Sequence, residues 1–167
     1  MTIRTITEAD IPAYYNLAME LDEETPFRLY EAGERPRDPQ LFASETMDFL
    51  KNPTSNIFLA EEDGRLVGYL QAIGRRQRRV RHVVSINVAI LLKYTGKGLG
   101  GKLFNGLEEW ARKIGVRRLD LSVMINNIPA QKLYEKLGFS IEGVKLGSMF
   151  VDGEFIDEYY MSKLLDD

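Results

Sequence analysis

The sequence predicts an α/β (α+β) fold in which helices cover a mixed β-sheet. Seven short segments are β-branched or alternate apolar and polar residues, as strands do, and four segments repeat apolar residues at helical spacing. Their order is strand, two helices, three strands, helix, strand, helix and two strands, without an internal repeat or linker. With 167 residues, 44% of them hydrophobic, the chain can bury one core, so residues 1–167 are expected to form one domain.

The N-terminal elements follow from local patterns. Segment 2–7, "TIRTIT", alternates apolar and polar residues and is expected to be a strand. Thr7 can cap the first helix, with Asp10 three residues later completing a capping box. Segment 24–39 holds three prolines and one glycine, which predicts an irregular surface connection. A second helix follows it and is expected to stop near Pro53.

The later elements are bounded by turn residues. Segment 56–74 is expected to be two strands joined at Glu62-Asp63-Gly64, and 80–92 is a β-branched strand. Gly115 and Gly138 stand where helix C-termini are expected. The last helices are therefore predicted at 100–115 and 128–138, and the last strands at 116–125, 139–147 and 155–165.

Composition excludes several classes of function. The net charge of −3 gives no general attraction to nucleic acid or to a membrane surface. The chain has no cysteine and one histidine, His82, so a thiol nucleophile is excluded and no metal site is predicted. The five arginines of 75–81 are expected to be a solvated strand connection. No apolar run could span a membrane and the first residues do not resemble a signal peptide, so a cytoplasmic protein is expected.

The stretch "YTGKGLGGKLF", residues 94–104, follows a predicted strand and opens a predicted helix. Free amides and the positive end of the helix dipole make such a turn suitable for a phosphate group. A turn that needs glycine only for tight packing is the alternative. A nucleotide P-loop is disfavoured because Leu103 stands where a Mg²⁺-binding hydroxyl is required. A dinucleotide fold is disfavoured because Asp120 lies inside a strand and little chain remains.

Two motifs in this order resemble the GNAT superfamily of acetyl-CoA-dependent N-acetyltransferases. The first ends a strand and opens a helix with Gly98 and Gly100, although Thr95 replaces the family's Gln or Arg. The second is the intact stretch from Asn127 to Phe139, "NIPAQKLYEKLGF". The resemblance implies the GNAT fold, a mostly antiparallel sheet of about seven strands with about four helices. It also implies acetyl-CoA as cofactor.

The resemblance implies a binding surface for coenzyme A. In the family, the strand before the loop exposes its backbone to the pantetheine arm, and the matching residues are Val88, Ala89 and Ile90. These apolar residues fit an ordinary core strand equally well. The loop amides would hold the pyrophosphate, Lys97 could add charge, and Lys102 is expected to be solvated. The implied pyrophosphate loop comprises Thr95, Gly96, Lys97, Gly98, Leu99, Gly100 and Gly101.

The second motif implies the catalytic group. Tyr134 matches the family's general acid, which returns a proton to the leaving thiolate. The residue alone would fit a core tyrosine as well. Asn127 matches a residue that contacts the cofactor, and by itself it is also a sound helix N-cap.

The general base does not follow from the resemblance. Related ribosomal-alanine acetyltransferases have a glutamate where this chain has Ser122, and serine cannot serve as a base without help. A water held by Ser85 or Asn87 is one alternative. The other candidates are the carboxylates of Glu24, Glu31, Glu34, Glu45, Asp157 and Glu158.

These observations predict an N-acetyltransferase that acts by direct attack in a ternary complex. The acceptor would be a primary amine of a small molecule or a peptide, and the resemblance allows for a homodimer. A non-catalytic acyl-CoA sensor is the alternative, because Ser122 and Thr95 depart from the family pattern.

Overall fold

A computed structural model of the protein describes residues 1–165. Within that range the fold has seven strands and four helices, which confirms the predicted α/β class. The strands are β1 (Thr2–Thr5), β2 (Asn56–Glu62), β3 (Arg65–Gly74), β4 (Val83–Ile90), β5 (Arg118–Met124), β6 (Ser140–Val151) and β7 (Glu154–Leu164). The helices are α1 (Ile11–Glu24), α2 (Pro39–Leu50), α3 (Leu99–Lys113) and α4 (Ile128–Lys136). No helix of the described range is long and apolar enough to cross a membrane.

The strands form one sheet in the order β1-β2-β3-β4-β5-β7-β6. Five of the neighbouring pairs are antiparallel, and the β4–β5 pair is parallel. The parallel pair is also the shortest, because it joins only Val83–Ser85 to Arg118–Asp120. The sheet is therefore forked in its middle.

Helices cover both faces of the sheet. Tyr14 of α1 packs on Tyr69 of β3 with ring centroids 5.1 Å apart. Trp110 of α3 packs on Phe58 of β2 with ring centroids 5.9 Å apart. Phe58 pairs with Leu70, the neighbour of Tyr69, and neighbouring strand residues point to opposite faces. Helix α1 therefore covers one face of the sheet and α3 the other.

The N-terminal cap forms as predicted, although the first turn is 3₁₀. Thr7 donates from its backbone N and its hydroxyl to the Asp10 carboxylate, at 2.8 and 2.7 Å. A 3₁₀ turn at Glu8–Asp10 precedes α1, which begins at Ile11. Arg4 also binds Asp10, at 2.7 and 2.8 Å, so this cap ties β1 to the helix.

Two predicted strands differ from the observed ones by three residues or more at one end. The strand predicted at 80–92 begins at Val83, because 80–82 form a turn, and it ends at Ile90, before a 3₁₀ turn at 92–94. The strand predicted at 139–147 runs on to Val151. Gly147 has a φ of +57° within an irregular stretch of the β6–β7 pairing, so it bends the strand without ending it.

Gly74 gives a test of the packing at the end of β3. A Cβ atom there would overlap the carbonyl oxygen of Thr54, so we expect Gly74→Ala to lower the free energy of unfolding by about 2 kcal/mol or more. The control is Gly143→Ala on β6, where a Cβ atom would meet nothing within 4 Å. Urea denaturation of both variants measures the difference, and equal stabilities would contradict the packing described here.

Candidate active site

The fork between β4 and β5 opens at Ser85. Its hydroxyl donates to the carboxylate of Asp120 at 2.6 Å, and these two residues form the last pair between the strands. Beyond this clamp, Ile86–Ile90 still pair with β3, while Leu121–Met124 pair with β7. Alternate backbone amides and carbonyls of both strands therefore face the gap.

The three residues predicted to face the pantetheine arm lie in this gap. Val88, Ala89 and Ile90 pair with β3 on one side and have no partner on β5. The gap is an open strip of main chain beside a strand, which is the geometry that an extended amide-containing chain requires for hydrogen bonding.

The glycine loop leads from a 3₁₀ turn at Leu92–Tyr94 into α3. Gly96 and Gly98 have φ values of +72° and +78°, which side chains other than glycine rarely adopt. The first helical hydrogen bond runs from Lys102 N to Gly98 O at 3.2 Å. The preceding amides of α3, from Leu99 to Gly101, therefore have no acceptor within the helix.

The other loop residues divide between packing and exposure. Leu99 and Gly100 are buried, and a Cβ atom at Gly100 would lie 2.7 Å from Leu133 of α4, so this glycine lets two helices approach. Thr95 donates its hydroxyl to Leu92 O at 2.8 Å. Lys97 is exposed, with its ammonium 5.1 Å from the Tyr94 ring centroid.

Asn127 is the N-cap of α4. Its side-chain oxygen accepts from Ala130 N at 3.4 Å, which is the structural role expected of the residue alone. A cofactor contact by Asn127 stays a prediction.

Tyr134 is buried on α4, with 8% of its surface exposed. Its ring lies 5.8 Å from that of Phe104 and 6.1 Å from that of Phe139. Its hydroxyl forms no hydrogen bond within residues 1–165. Burial raises the pKa of Tyr134 to about 12. The phenol is therefore protonated near neutral pH, as a general acid must be.

A cavity of about 540 Å³ lies on the α1–α2 face of the sheet. Gln71 and Asn87 line it, and their side chains are joined by a 3.0 Å hydrogen bond from Asn87 Nδ2 to Gln71 Oε1. Val88, beside the fork, also lines it. Tyr134 contacts Phe104 of α3 on the opposite face, so the cavity and the phenol lie on different faces of the sheet.

Most of the carboxylates considered as bases have local structural partners. Glu24 accepts from Leu92 N at 2.8 Å, and Glu34 accepts from Glu31 N at 2.9 Å. Asp157 accepts from Gly147 N at 2.7 Å. Glu158 accepts from Ser148 at 2.7 Å and lies 3.5 Å from Lys145. Of all these candidates, Glu45 is the one that lines the cavity.

Ser122 lies beside a cation. Lys145 Nζ donates to the Ser122 hydroxyl at 3.4 Å. Ser85, the other hydroxyl considered, is occupied with Asp120. Ser85 and Asn87 were both considered as residues that could hold a water, and of the two Asn87 is the one that lines the cavity.

Sequence reasoning missed a buried ionic cluster at the cavity wall. Asp22 of α1 is 4% exposed and accepts from Arg28 at 3.1 Å and from Arg35 at 2.5 Å. The available signal was Asp22 itself, because it falls on the same helical face as Tyr15 and Ala18, both of which are buried. The two arginines lie in the irregular segment, where no periodicity marks them.

Several other features have structural roles. Segment 75–81 is mostly exposed and all five of its arginines are exposed. It lies at the opposite end of β4 from the glycine loop. The eight residues of β4 separate the two by about 26 Å. The His82 carbonyl accepts from the amides of Arg117 and Arg118.

No group of three His, Cys, Asp or Glu side chains in the described part of the chain could hold a metal ion.

Leu103 and Asp120, which argue against a P-loop and a dinucleotide fold, are both engaged within the fold. Leu103 is fully buried, so it presents no hydroxyl to a metal. Asp120 is engaged by Ser85 and by Arg118 inside β5. The forked sheet, with a helix N-terminus beside the gap and a cavity behind it, has the geometry expected of a transferase that would hold an extended, phosphate-bearing donor next to an acceptor.

Comparison with known proteins agrees with this class. Residues 14–139 match the acetyltransferase (GNAT) family, and the chain belongs to that family. The chain is 32% identical over 106 residues to an L-amino acid N-acetyltransferase of Escherichia coli, covering 61% of this chain and 64% of that protein. The aligned region is thus just under two thirds of that relative's length.

Two further relatives are similar. A putative [ribosomal protein bS18]-alanine N-acetyltransferase of Bacillus subtilis is 33% identical over 108 residues, covering 64% of this chain and 68% of that protein. The crystal structure of a GNAT-family acetyltransferase from Streptococcus pneumoniae superposes with a TM-score of 0.92 at 28% identity, covering 99% of both chains. The predicted GNAT fold is confirmed.

The raised pKa of Tyr134 gives a pH-dependent test. Tyr134 ionises near pH 10 in the unfolded chain and near pH 12 in the folded one. The contribution of this difference to the free energy of unfolding is therefore fully present below about pH 10 and is lost as the pH rises towards 12. Between about pH 9 and about pH 11 the wild type should lose about 1.4 kcal/mol more unfolding free energy than Tyr134→Phe. Urea denaturation at both pH values measures this. Tyr160→Phe, at a residue that is 47% exposed, is the control, and a Tyr134→Phe profile parallel to wild type would refute the assignment.

Proposed function

We propose that the chain is an acetyl-CoA-dependent N-acetyltransferase that transfers the acetyl group to a primary amine by direct attack in a ternary complex. The observation that supports this most directly is the fork. On one side of it lie the free amides of the α3 N-terminus and the Tyr134 phenol, and on the other lies a cavity lined by Asn87. Donor and acceptor can thus be held next to each other, which lowers the entropic barrier to reaction.

The residues of the fork fit coenzyme A. The amides of Leu99, Gly100 and Gly101, with that of the N-cap Gly98 before them, would hold the pyrophosphate, since they lie at the positive end of α3 and the first three have no acceptor within the helix. Thr95, Gly96 and Lys97 complete the loop around it. The main chain of Val88, Ala89 and Ile90 would bind the pantetheine arm.

The proton path is assigned to two groups. When bound, acetyl-CoA supplies an acetyl group activated as a thioester. The acceptor nitrogen forms a bond to the acetyl carbon while the carbon–sulfur bond breaks, and one proton must pass from nitrogen to sulfur. Tyr134 holds a proton at its hydroxyl oxygen and delivers it to the sulfur, and the proton released by the amine restores the phenol.

Glu45 is assigned to the amine side. An alkylamine with a pKa near 10 arrives as an ammonium, which a carboxylate attracts. The ammonium first loses one proton to solvent through Glu45, which leaves the neutral nitrogen free to attack. Glu45 lines the cavity and has no ion pair within the described residues. Ser122, in contrast, accepts from the Lys145 ammonium, which is itself paired with Glu158, so it offers no negative charge to an approaching cation.

The acceptor class is bounded by the relatives. One relative acts on L-amino acids and another is named for the alanine of a ribosomal protein, so a small-molecule or peptide amine is proposed here. The cytoplasmic location stays a prediction. So does the homodimer, for which the exposed apolar side chains of Leu146, Phe150 and Phe155 on β6 and β7 offer a surface.

Gly98 tests the pyrophosphate assignment, with Gly115 as a matched control. Both have a φ of +78°, and at neither would a Cβ atom meet anything within 4 Å; Gly98 precedes α3 and Gly115 follows it. Alanine at either should cost about 1 kcal/mol of stability through the same strain. Isothermal titration calorimetry should show acetyl-CoA affinity falling about tenfold or more for Gly98→Ala only.

Two results would contradict the assignment. Undiminished acetyl-CoA affinity in Gly98→Ala would remove the loop from the binding site. An equal loss in Gly115→Ala would show that the effect comes from lost stability instead of lost contacts.

Tyr134→Phe tests catalysis against binding alone. We expect turnover to fall about 100-fold or more, because general acid catalysis typically contributes that much, while acetyl-CoA affinity stays within about twofold. Acetyl-CoA consumption with an amine acceptor gives the first value and calorimetry the second. Wild-type binding without turnover on any amine would favour the acyl-CoA sensor.

A further inference from the structure

The cluster of Asp22, Arg28 and Arg35 contains more positive than negative charge. Two guanidinium groups bind one carboxylate, which leaves an excess of one positive charge. Their side chains are 7%, 14% and 2% exposed for Arg28, Arg35 and Asp22. An uncompensated charge that is mostly removed from water is costly. The cluster is therefore a place where an anion would be stabilised.

The arginines also have unused donors. Each guanidinium has five N–H groups. Arg28 uses only its Nε on Asp22, and Arg35 uses Nε and Nη2. Among the described residues, the two Nη atoms of Arg28 and the Nη1 atom of Arg35 have no hydrogen-bond partner. These groups can bind a second carboxylate with the bidentate geometry that arginine favours.

Aromatic rings orient both guanidinium groups at the cavity wall. Arg28 Cζ lies 5.3 Å from the centroid of the Tyr69 ring, and Arg35 Cζ lies 4.4 Å from that of Tyr30. All four residues line the 540 Å³ cavity. Tyr69 pairs with Ala89 across β3 and β4, so the cluster reaches the strand that borders the fork.

The other residues of the cavity indicate which groups the bound molecule would carry besides its carboxylate. Its wall is mainly apolar and aromatic. The third charged group that lines it is Glu45, which is exposed on α2 and suited to an ammonium group. The apolar lining consists of Tyr14, Ala18, Phe27, Leu29, Phe42 and Phe49, with Ile57, Ile73 and Val88.

We propose that Arg28 and Arg35, held by Asp22, form a carboxylate-binding subsite, and that the acceptor is a compact amino acid with an apolar side chain. This inference deepens the proposed function and rests on it for the transfer step. The carboxylate binds the spare guanidinium donors, the side chain occupies the aromatic wall, and the amine faces Asn87 and the fork. A peptide N-terminus, whose first carboxyl group is an amide, lacks the group that this subsite recognises.

The first experiment compares acids with their amides on the wild-type chain. L-phenylalanine, L-leucine and L-methionine are assayed against their carboxamides, with kcat/KM expressed per unprotonated amine because the amides are the weaker bases. We expect the acids to be preferred about tenfold or more, from charge-assisted hydrogen bonds to arginine. A preference for the amides or for short peptides would overturn the proposal.

The second experiment removes the excess charge without orphaning Asp22. Arg28→Met keeps a long apolar side chain and leaves Arg35 paired with Asp22. Arg79→Met, in the exposed connection between β3 and β4, is the matched control. We expect kcat/KM for the amino acids to fall about 10-fold to 100-fold, mainly through KM, while the value for the amides changes less than about twofold. Arg28→Lys should recover part of the loss.

An equal loss for acids and amides in Arg28→Met would overturn the subsite, because it would indicate a structural role for the arginine. Unchanged acid-to-amide preference would overturn it as well.

A binding measurement separates this inference from the proposed function. Calorimetric titration with 3-phenylpropanoate, a carboxylate without an amine, needs no acetyl transfer. Binding to wild type that weakens about tenfold in Arg28→Met but not in Arg79→Met supports the subsite, even if no amine is acetylated. Absence of binding, or equal binding to all three proteins, would overturn the subsite while leaving acetyl transfer to be judged by turnover.

Discussion

The constraint on which the molecule depends is the short parallel contact between β4 and β5. Three residue pairs and the Ser85–Asp120 hydrogen bond hold the strands together, after which β4 stays with β3 and β5 stays with β7. Backbone groups left without partners in a protein interior cost roughly 1–3 kcal/mol each. Residues 87–90 of β4, which border the gap, are exposed or half-buried, so their unpaired backbone groups remain accessible to a ligand.

The helices turn this fork into a two-sided site. Helix α3 begins at the mouth of the gap with free amides, and α4 holds the Tyr134 phenol against Phe104 of α3. On the other face, α1 and α2 form the cavity wall with Tyr14 and Phe42, whose ring centroids are 5.3 Å apart. The proposed function would therefore give each reactant its own helical layer, with the main chain of β4 common to both.

Local sequence patterns predicted the helices and strands, and they pointed to the glycine loop and the second motif on one side of the proposed site. The capping box at Thr7, the glycines with positive φ and the second motif are written in neighbouring residues, so sequence was sufficient for them. The fork was accessible only through family resemblance, because Val88 and Ile90 are as apolar in a gap as in a continuous sheet. The arginine cluster could not be predicted, since Arg28 and Arg35 reach Asp22 through the tertiary path of an irregular segment.

The charges around the fork bear on which amine can react there. Lys145 lies against Ser122 and is paired with Glu158, which also accepts from Ser148, so the position that holds a glutamate in ribosomal-alanine acetyltransferases here offers no free carboxylate. On the cavity side, Glu45 attracts an ammonium, while Arg28 and Arg35 attract an anion. A substrate that carries both charges a few bonds apart can satisfy the two attractions and avoid Lys145, whereas a polyamine would set positive charge against the arginines. On the proposed function, the arrangement of charge would therefore favour an amino acid over a polycation, and it would place the proton acceptor at Glu45 and not at Ser122.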